Sequence, residues 1–204
     1  MRHTDDTVRA YDLDAVAYAA TGATLPDSVR RDIEDLADRL GAGARVLEVG
    51  SGGGRDARLM EELGLHVRRT DITPAFVALL REQGRDADVI DPLCDDLGSP
   101  DGAYDAVWAN ASLLHVGRVD LPTVLARLGA VCRRAALLRI SVKEGDGAGW
   151  STHGSISTPR HFTYWQADAL RGVVSGAGWR SVEIARQAGT KNDESWLEVR
   201  ALRA

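Results

Sequence analysis

The order of apolar runs along the chain predicts an α/β fold: a seven-stranded, mostly parallel sheet in a three-layer sandwich, with an antiparallel last strand. Three observations carry this expectation. Five short apolar runs are interspersed with helical patterns along the chain. One such unit, Arg45 to Asp56, reads R-V-L-E-V-G-S-G-G-G-R-D, a strand that ends in four glycines within five residues and then opens a helix. The final run alternates Leu197, Val199 and Ala201 against Glu198 and Arg200, as a half-exposed antiparallel strand does. The 204 residues suffice for one domain with a substantial core.

The elements follow in order. Residues 5–20 carry Val8, Tyr11, Val16 and Tyr18 among acidic residues, which suggests a short amphipathic helix. Leu25-Pro26-Asp27 opens a second, with Val29, Ile33, Leu36 and Leu40 as its apolar stripe and Gly41 as its stop. Residues 1–43 thus form a helical cap before the first strand. After the glycine loop, Arg55 to Leu63 is helical, Leu65 to Thr70 is a second strand ending at Asp71, and Thr73-Pro74 begins a helix that buries Phe76, Val77, Leu79 and Leu80. Ala87 to Ile90 is a third strand ending at Asp91. Tyr104 to Ala109 is a fourth, running into Asn110. Asp120 to Val131 is a helix, and Ala135 to Val142 a fifth strand. Residues 144–162 lack periodicity and read as a substrate lid loop. Gln166 to Ser175 is the last helix, followed by strands near Trp179–Ala185 and Trp196–Leu202.

Composition narrows the function. A formal net charge of −5 without a long basic run argues against a nucleic-acid partner. Two cysteines, Cys94 and Cys132, lie far apart and outside any C-x-x-C pattern, which favours a reducing compartment over a disulfide framework or a zinc site. No apolar leader or span of membrane length is present, so a cytoplasmic location without membrane contact is expected. Asp95, Asp96 and the histidines match no metal-ligand spacing, and no metal is expected.

Register separates the glycine loop from other nucleotide-binding loops. A G-x-G-x-x-G fingerprint fails from Gly50, because its third position is Arg55; from Gly52 it ends at Ala57, displaced towards the helix. The Gly-Lys-Ser/Thr ending of a phosphate-cradling loop is absent. What fits is E-x-G-x-G-x-G at Glu48, Gly50, Gly52 and Gly54. In an open parallel sheet, ligands bind beyond the carboxyl ends of the strands. Glu48 to Gly54, Asp71, Asp91, Asn110 and Lys143 all lie at or just past such ends. A carboxylate at Glu48 can hold an ammonium or hydroxyl. One at Asp71 can accept both protons of a ribose diol, and one at Asp91 can accept from an adenine amino group. Ile72 and Pro92 supply apolar contacts to an adenine.

The E-x-G-x-G-x-G loop, D-A-V-W-A-N-A-S-L-L-H-V (Asp105 to Val116), S-V-K-E-G (Ser141 to Gly145), H-F-T-Y-W (His161 to Trp165) and W-L-E-V (Trp196 to Val199) together resemble the class I S-adenosylmethionine-dependent methyltransferases, in their bacterial small-molecule type. The resemblance covers nearly the whole chain. It implies a Rossmann-like fold, S-adenosylmethionine as cofactor with S-adenosylhomocysteine as product, and a small-molecule or peptide acceptor, in a monomer or homodimer. It implies methionine-end contacts from Gly50, Ser51, Gly52 and Arg55, ribose contact from Asp71, adenine contact from Asp91, and Asn110, Ala111 and Ser112 beside the sulfonium. Tyr18, in A-V-A-Y, resembles a tyrosine that covers the cofactor. Two departures stand out: Cys132-Arg133-Arg134-Ala135 replaces a Pro-Gly-Gly turn, and the longer Asp91–Tyr104 connection leaves Asp95 and Asp96 as alternatives to Asp91.

On the acceptor side His115 is the candidate general base, or a residue that caps or packs the next element. Lys143 binds a substrate anion or pairs with Glu144 or a neighbour. Tyr11, Trp150, His153 and His161 are candidate substrate contacts, with Tyr164 and Trp165 pinning the lid. The expected reaction is methyl transfer to oxygen or nitrogen. The alternatives are a non-methylating, cyclase-like use of the same cofactor and a nicotinamide-dependent oxidoreductase.

Overall fold

A computed structural model of the chain describes residues 3–22, 24–152, 156–189 and 194–204. Its strands are β1 Arg45–Val49, β2 His66–Asp71, β3 Asp88–Val89, β4 Tyr104–Ala109, β5 Cys132–Lys143, β6 Ala148–Ser151, β7 Arg160–Thr163, β8 Trp179–Ala188 and β9 Ser195–Arg203. Its helices are α1 His3–Thr21, α2 Asp27–Leu40, α3 Arg55–Glu62, α4 Pro74–Glu82, α5 Leu121–Ala130 and α6 Ala167–Gly176. Seven strands form one sheet in the order β3-β2-β1-β4-β5-β9-β8. Pairing is parallel from β3 to β5, and β9 is antiparallel to both of its neighbours. Strand order reverses between β1 and β4, so their carboxyl ends flank the switch point where such sheets take ligands.

Side chains alternate across the central strands and build the two core layers. Leu47, Val107 and Ile140 face the layer of α5 and α6, with Leu121, Val124, Leu125, Leu128, Leu170 and Val174. Val46, Ala106 and Trp108 face Val29, Ile33, Leu36, Leu59 and Met60 of α2 and α3. Burial of each such Leu or Ile contributes about 1.5–3 kcal/mol. A polar tie adds to this. Asp32 of α2 accepts from Arg139 Nε of β5 at 2.9 Å and also pairs with Arg200 of β9, while Arg139 reaches Glu198 at 3.2 Å. With Asp32 and Arg139 both buried, this network fixes α2 against one register of the sheet.

Several boundaries differ from the sequence-based expectation. The region 144–162 is not only a loop: β6 and β7 form an antiparallel hairpin in which Trp150 pairs with His161 and Gly149 with Phe162. The first helix spans His3–Thr21, because its buried face uses the small residues Thr7, Ala10 and Ala15. Strand β5 starts at Cys132. Ala135 takes a left-handed φ of +60°, and pairing with β4 shifts between Tyr104 and Ala106, so a bulge replaces the expected turn. Among the described residues, no helix is long and apolar enough to cross a membrane, and no three metal-ligating side chains converge.

Candidate active site

The glycine loop joins β1 to α3. Gly50 and Ser51 donate their N–H groups to Thr70 O at 2.8 and 3.0 Å, which curls the loop over the end of β2. Gly50 has φ +82°, and a Cβ there would sit 2.3 Å from Ser112 Cβ. Only glycine fits, because the segment leaving β4 presses directly on the one leaving β1. Ser112 locks this contact by donating to Val49 O at 2.6 Å. The neighbouring Ala111 is held at φ +53° with its N–H on Ser141 Oγ at 2.8 Å. Such a strained non-glycine residue marks a position that the surrounding structure over-determines.

Acidic groups stand at consecutive strand ends around this loop. Glu48 is buried, and its Oε2 has no hydrogen-bond partner among the described residues. Burial, reinforced by Asp56, raises its pKa to about 8. Asp71 is buried and accepts from Gly52 N–H at 2.9 Å and Thr73 N–H at 2.8 Å, one bond to each oxygen. Burial also raises its pKa. Asp91 lines one cavity with Asp71, Ile72 and Pro92, and Glu48 lines a neighbouring recess that shares Tyr18, Gly50, Gly52 and Ala111 with it. Asp95 and Asp96 instead accept from the N–H groups of Asp91 and Gly98, which makes them loop-shaping acids.

Helix α1 roofs the cleft. Tyr18 and Tyr11 pack edge-to-face at 5.2 Å and both rest on Phe76. Asp12 accepts from Ala75 N–H at 2.9 Å, at the start of α4. Thr7 accepts from His161 N–H at 3.0 Å. Arg55 lies at the third position of the dinucleotide pattern. Its guanidinium donates to the Gly22 and Thr24 carbonyls at 2.9 and 3.2 Å, tying the end of α1 to the glycine loop.

A second cavity adjoins the first, and Tyr11, Ala111 and His115 line both. His115 Nδ1 lies 2.6 Å from His161 O, a carbonyl that can only accept, so Nδ1 carries the proton. Nε2 is then an acceptor, and Tyr11 donates its hydroxyl to it at 3.0 Å. Burial, with Arg160 and Lys143 adding to it, lowers the pKa of His115 to about 4, so the imidazole is neutral. Lys143 pairs with Glu194 at 2.7 Å and lies over the Phe162 ring at 4.6 Å. Its partner is therefore not Glu144, which binds Arg186 and Ser195.

Two predicted substrate contacts lie elsewhere. In β7, Arg160 and Phe162 face the second cavity, whereas the His161 ring packs edge-on against Trp150 at 5.5 Å. Trp150 is half exposed on that outer face, and the His161 carbonyl holds His115 Nδ1. His153 lies outside the described residues. Conversely, sequence reasoning missed Asp56 and Arg160. Asp56 accepts from Trp108 Nε1 at 3.0 Å and Asn110 Nδ2 at 2.9 Å, and so aims Asn110 at the cleft. Its one available signal was its place in the first turn after the glycine loop. For Arg160 the signal was alternation with Phe162 opposite the small residues Ser151 and Gly149.

Residues 47–140 match a family model described as a methyltransferase domain. An 80-residue stretch is 36% identical to the ubiquinone biosynthesis O-methyltransferase of Xanthomonas oryzae pv. oryzae, covering 37% of this chain and 34% of that relative. The match thus spans about a third of the length of such curated relatives. Among solved structures, the 1,6-didemethyltoxoflavin-N1-methyltransferase of Burkholderia thailandensis aligns with a TM-score of 0.74 and 22% identity over 100% of this chain and 91% of its own. The [4+2]-cyclase SpnF aligns with a TM-score of 0.71 and 18% identity over 96% and 94%. At these identities the structural likeness shows a shared fold.

Proposed function

We propose that this chain, whose residues 47–140 match a methyltransferase domain and whose fold is that of the class I S-adenosylmethionine-dependent methyltransferases, moves a methyl group to an oxygen or nitrogen atom of a small molecule or peptide. The observation that carries this reading is Glu48: a buried carboxylate oxygen without a hydrogen-bond partner among the described residues, below a glycine loop in which a Cβ at Gly50 or Gly54 would collide with Ser112 or Leu80. Such a pair suits an α-ammonium group approached closely by backbone. The residues fit the rest of the cofactor as well. Asp71 keeps lone pairs beyond its two backbone bonds for a ribose diol. Ile72, Asp91 and Pro92 form a half-apolar slot suited to an adenine.

The cofactor supplies a methyl group already activated on a sulfonium sulfur. The protein's task is alignment. Asp56 and Ser141 hold the Asn110 amide by its donor and acceptor ends, fixing the segment 110–112 between the two cavities. Tyr18 and Tyr11 exclude water from above. The free thiols Cys94 and Cys132 accord with work in a reducing cytoplasm.

Calorimetric titration with S-adenosylhomocysteine tests the reading. Saturable binding that weakens at least tenfold in Asp71→Ala is expected; no heat at millimolar ligand overturns it. One observation favours a second reading, in which the cofactor is held without methyl transfer. The neutral His115, already engaged by Tyr11, gives the acceptor side no base matched to neutral pH. Mass spectrometry separates the two. Transfer adds one methylene unit to the product, whereas the second reading returns the cofactor unchanged.

A further inference from the structure

The wall of the second cavity carries a cation cage that the chain fills with its own side chain. Strand register places the parts. Lys143 of β5 pairs with Trp196 of β9, and Ser141 with Glu198, so these four side chains share one face of the sheet beside the cavity. The Lys143 ammonium lies over the Trp196 ring at 5.7 Å and over the Phe162 ring of β7 at 4.6 Å, and it donates to Glu194 at 2.7 Å. Two aromatic faces and a carboxylate around one ammonium are the groups that hold a small cation out of water. Gly189 lets the cage close: a Cβ there would meet Glu194 Cβ at 2.7 Å and Trp196 Nε1 at 3.2 Å. Lys143 is accordingly only 7% exposed. The identity of the residue fits its place. The chain has 25 lysines and arginines, and of these only Lys143 and Lys191 are lysines. A compact ammonium on a flexible stem suits such a cage end-on, as the planar guanidinium used almost everywhere else does not.

An incoming ammonium therefore finds its place taken. Among the described residues, the carboxylates that line this cavity are Glu194 and Glu198, and each is bound to a buried cation, Lys143 and Arg139. A further positive charge brought beside Lys143 would lose its water without gaining a carboxylate of its own. A group without positive charge meets no such penalty. We propose that Lys143 is a specificity-determining residue that keeps cationic amines out of the acceptor cavity and so restricts the acceptor to groups without positive charge. This rests on the methyltransferase reading and adds the acceptor's charge class to it. Because Lys143 acts by occupying the cage, taking away its side chain beyond Cβ leaves a site for the group removed, which is propylammonium.

The test uses the full chain saturated with S-adenosylhomocysteine, native and as Lys143→Ala. Each is titrated calorimetrically with propylammonium chloride and with propanol, its uncharged counterpart, at constant ionic strength. Propylammonium is expected to bind Lys143→Ala at least about tenfold more tightly than it binds the native protein, and at least about tenfold more tightly than propanol binds the variant. Adding Glu194→Gln to the variant is expected to abolish that preference for the cation. Affinity for S-adenosylhomocysteine is expected to stay within about twofold in Lys143→Ala. Native protein that binds propylammonium as tightly as the variant does, or a variant that does not distinguish propylammonium from propanol, overturns the proposal. Should Lys143→Ala unfold, a gain in its folded fraction with propylammonium chloride and not with sodium chloride supports the cage, and no such gain overturns it. Loss of S-adenosylhomocysteine binding by the native protein, before any amine is added, refutes the underlying methyltransferase reading instead.

Discussion

Glu48 is a carboxylate set where water does not reach its second oxygen, and its protonation follows from that placement. With a pKa raised to about 8 by burial and by Asp56, it is mostly protonated at pH 7 in the ligand-free protein. An ammonium seated on it reverses this. Binding of S-adenosylhomocysteine at pH 7 is therefore expected to release close to one proton, on the order of the fraction protonated one unit below a pKa. Calorimetry in two buffers of different ionisation enthalpy reads that number, and Glu48→Gln is expected to abolish it. In the free protein the sign is also fixed. The folded value lies above the ordinary 4.5, so the folded state holds the extra proton between the two values; stability therefore falls as pH rises from about 4.5 to about 8 and levels off above that, where both states are ionised. Glu48→Gln is thus expected to flatten a fall in Tm between about pH 5 and 8. Gly50 gives a sharper residue-scale test. An added Cβ at φ +82° meets Ser112 Cβ at 2.3 Å, so Gly50→Ala is expected to cost about 2–4 kcal/mol, read by urea unfolding. Both positions were legible in the sequence, because glycine spacing and a strand-end acid are local signals. Arg160 and Asp56 were not: a buried charge reads like a surface one until its neighbours are known.

At the scale of elements, α1 decides whether the cleft is closed. Its fully buried residues are the small Thr7, Ala10 and Ala15, its large inward side chains are Tyr11 and Tyr18 on Phe76, and Leu13 and Val16 face outward. That is why its sequence pattern suggested only a short helix. Polar attachments hold it instead: Thr7 to β7, Asp12 to the start of α4, and Arg55 to the turn after it. Removing the Asp12 carboxylate frees one N–H of α4, at a cost of about 1 kcal/mol in overall stability. Because the same bond holds the roof over Asp71 and Ile72, Asp12→Ala is expected to raise the dissociation rate of S-adenosylhomocysteine several-fold, with the association rate little changed. Stopped-flow displacement measures both rates; equal rates in variant and native protein would show that α1 stays shut without this latch. The β6–β7 hairpin escaped the sequence for a related reason. Its inner face pairs Gly149 and Ser151 with Phe162 and Arg160, so neither strand shows the alternation of apolar and polar residues that marks a half-buried strand.

For the molecule as a whole, the mostly parallel sheet with its antiparallel last strand follows from features that sequence states plainly: five apolar runs, ended by Gly50, Asp71, Asp91, Asn110 and Lys143, and a final alternating run. The pairing of the two cavities does not follow, because it depends on β7 and α1 crossing the ends of β4 and β5 from distant parts of the chain. The cofactor cavity likewise draws its walls from α1, the loop after β1, and the ends of β2 and β4, so a ligand there joins elements spread over the first 120 residues. Such a ligand must stabilise the entire fold and not one local segment. At a free concentration about a hundredfold above Kd, binding to the native state alone adds about 2.7 kcal/mol. For a chain of this size that corresponds to a rise in Tm of roughly 5–11 °C. S-adenosylhomocysteine is expected to produce this rise as a single cooperative transition. NADH at the same concentration is expected to produce none, because Arg55 fills the third glycine position and its side chain is committed to the carbonyls after α1. Differential scanning calorimetry distinguishes the outcomes. A split transition under S-adenosylhomocysteine would mean that α1 unfolds separately from the sheet, and a rise under NADH alone would move the chain from the methyltransferase reading to the dinucleotide one.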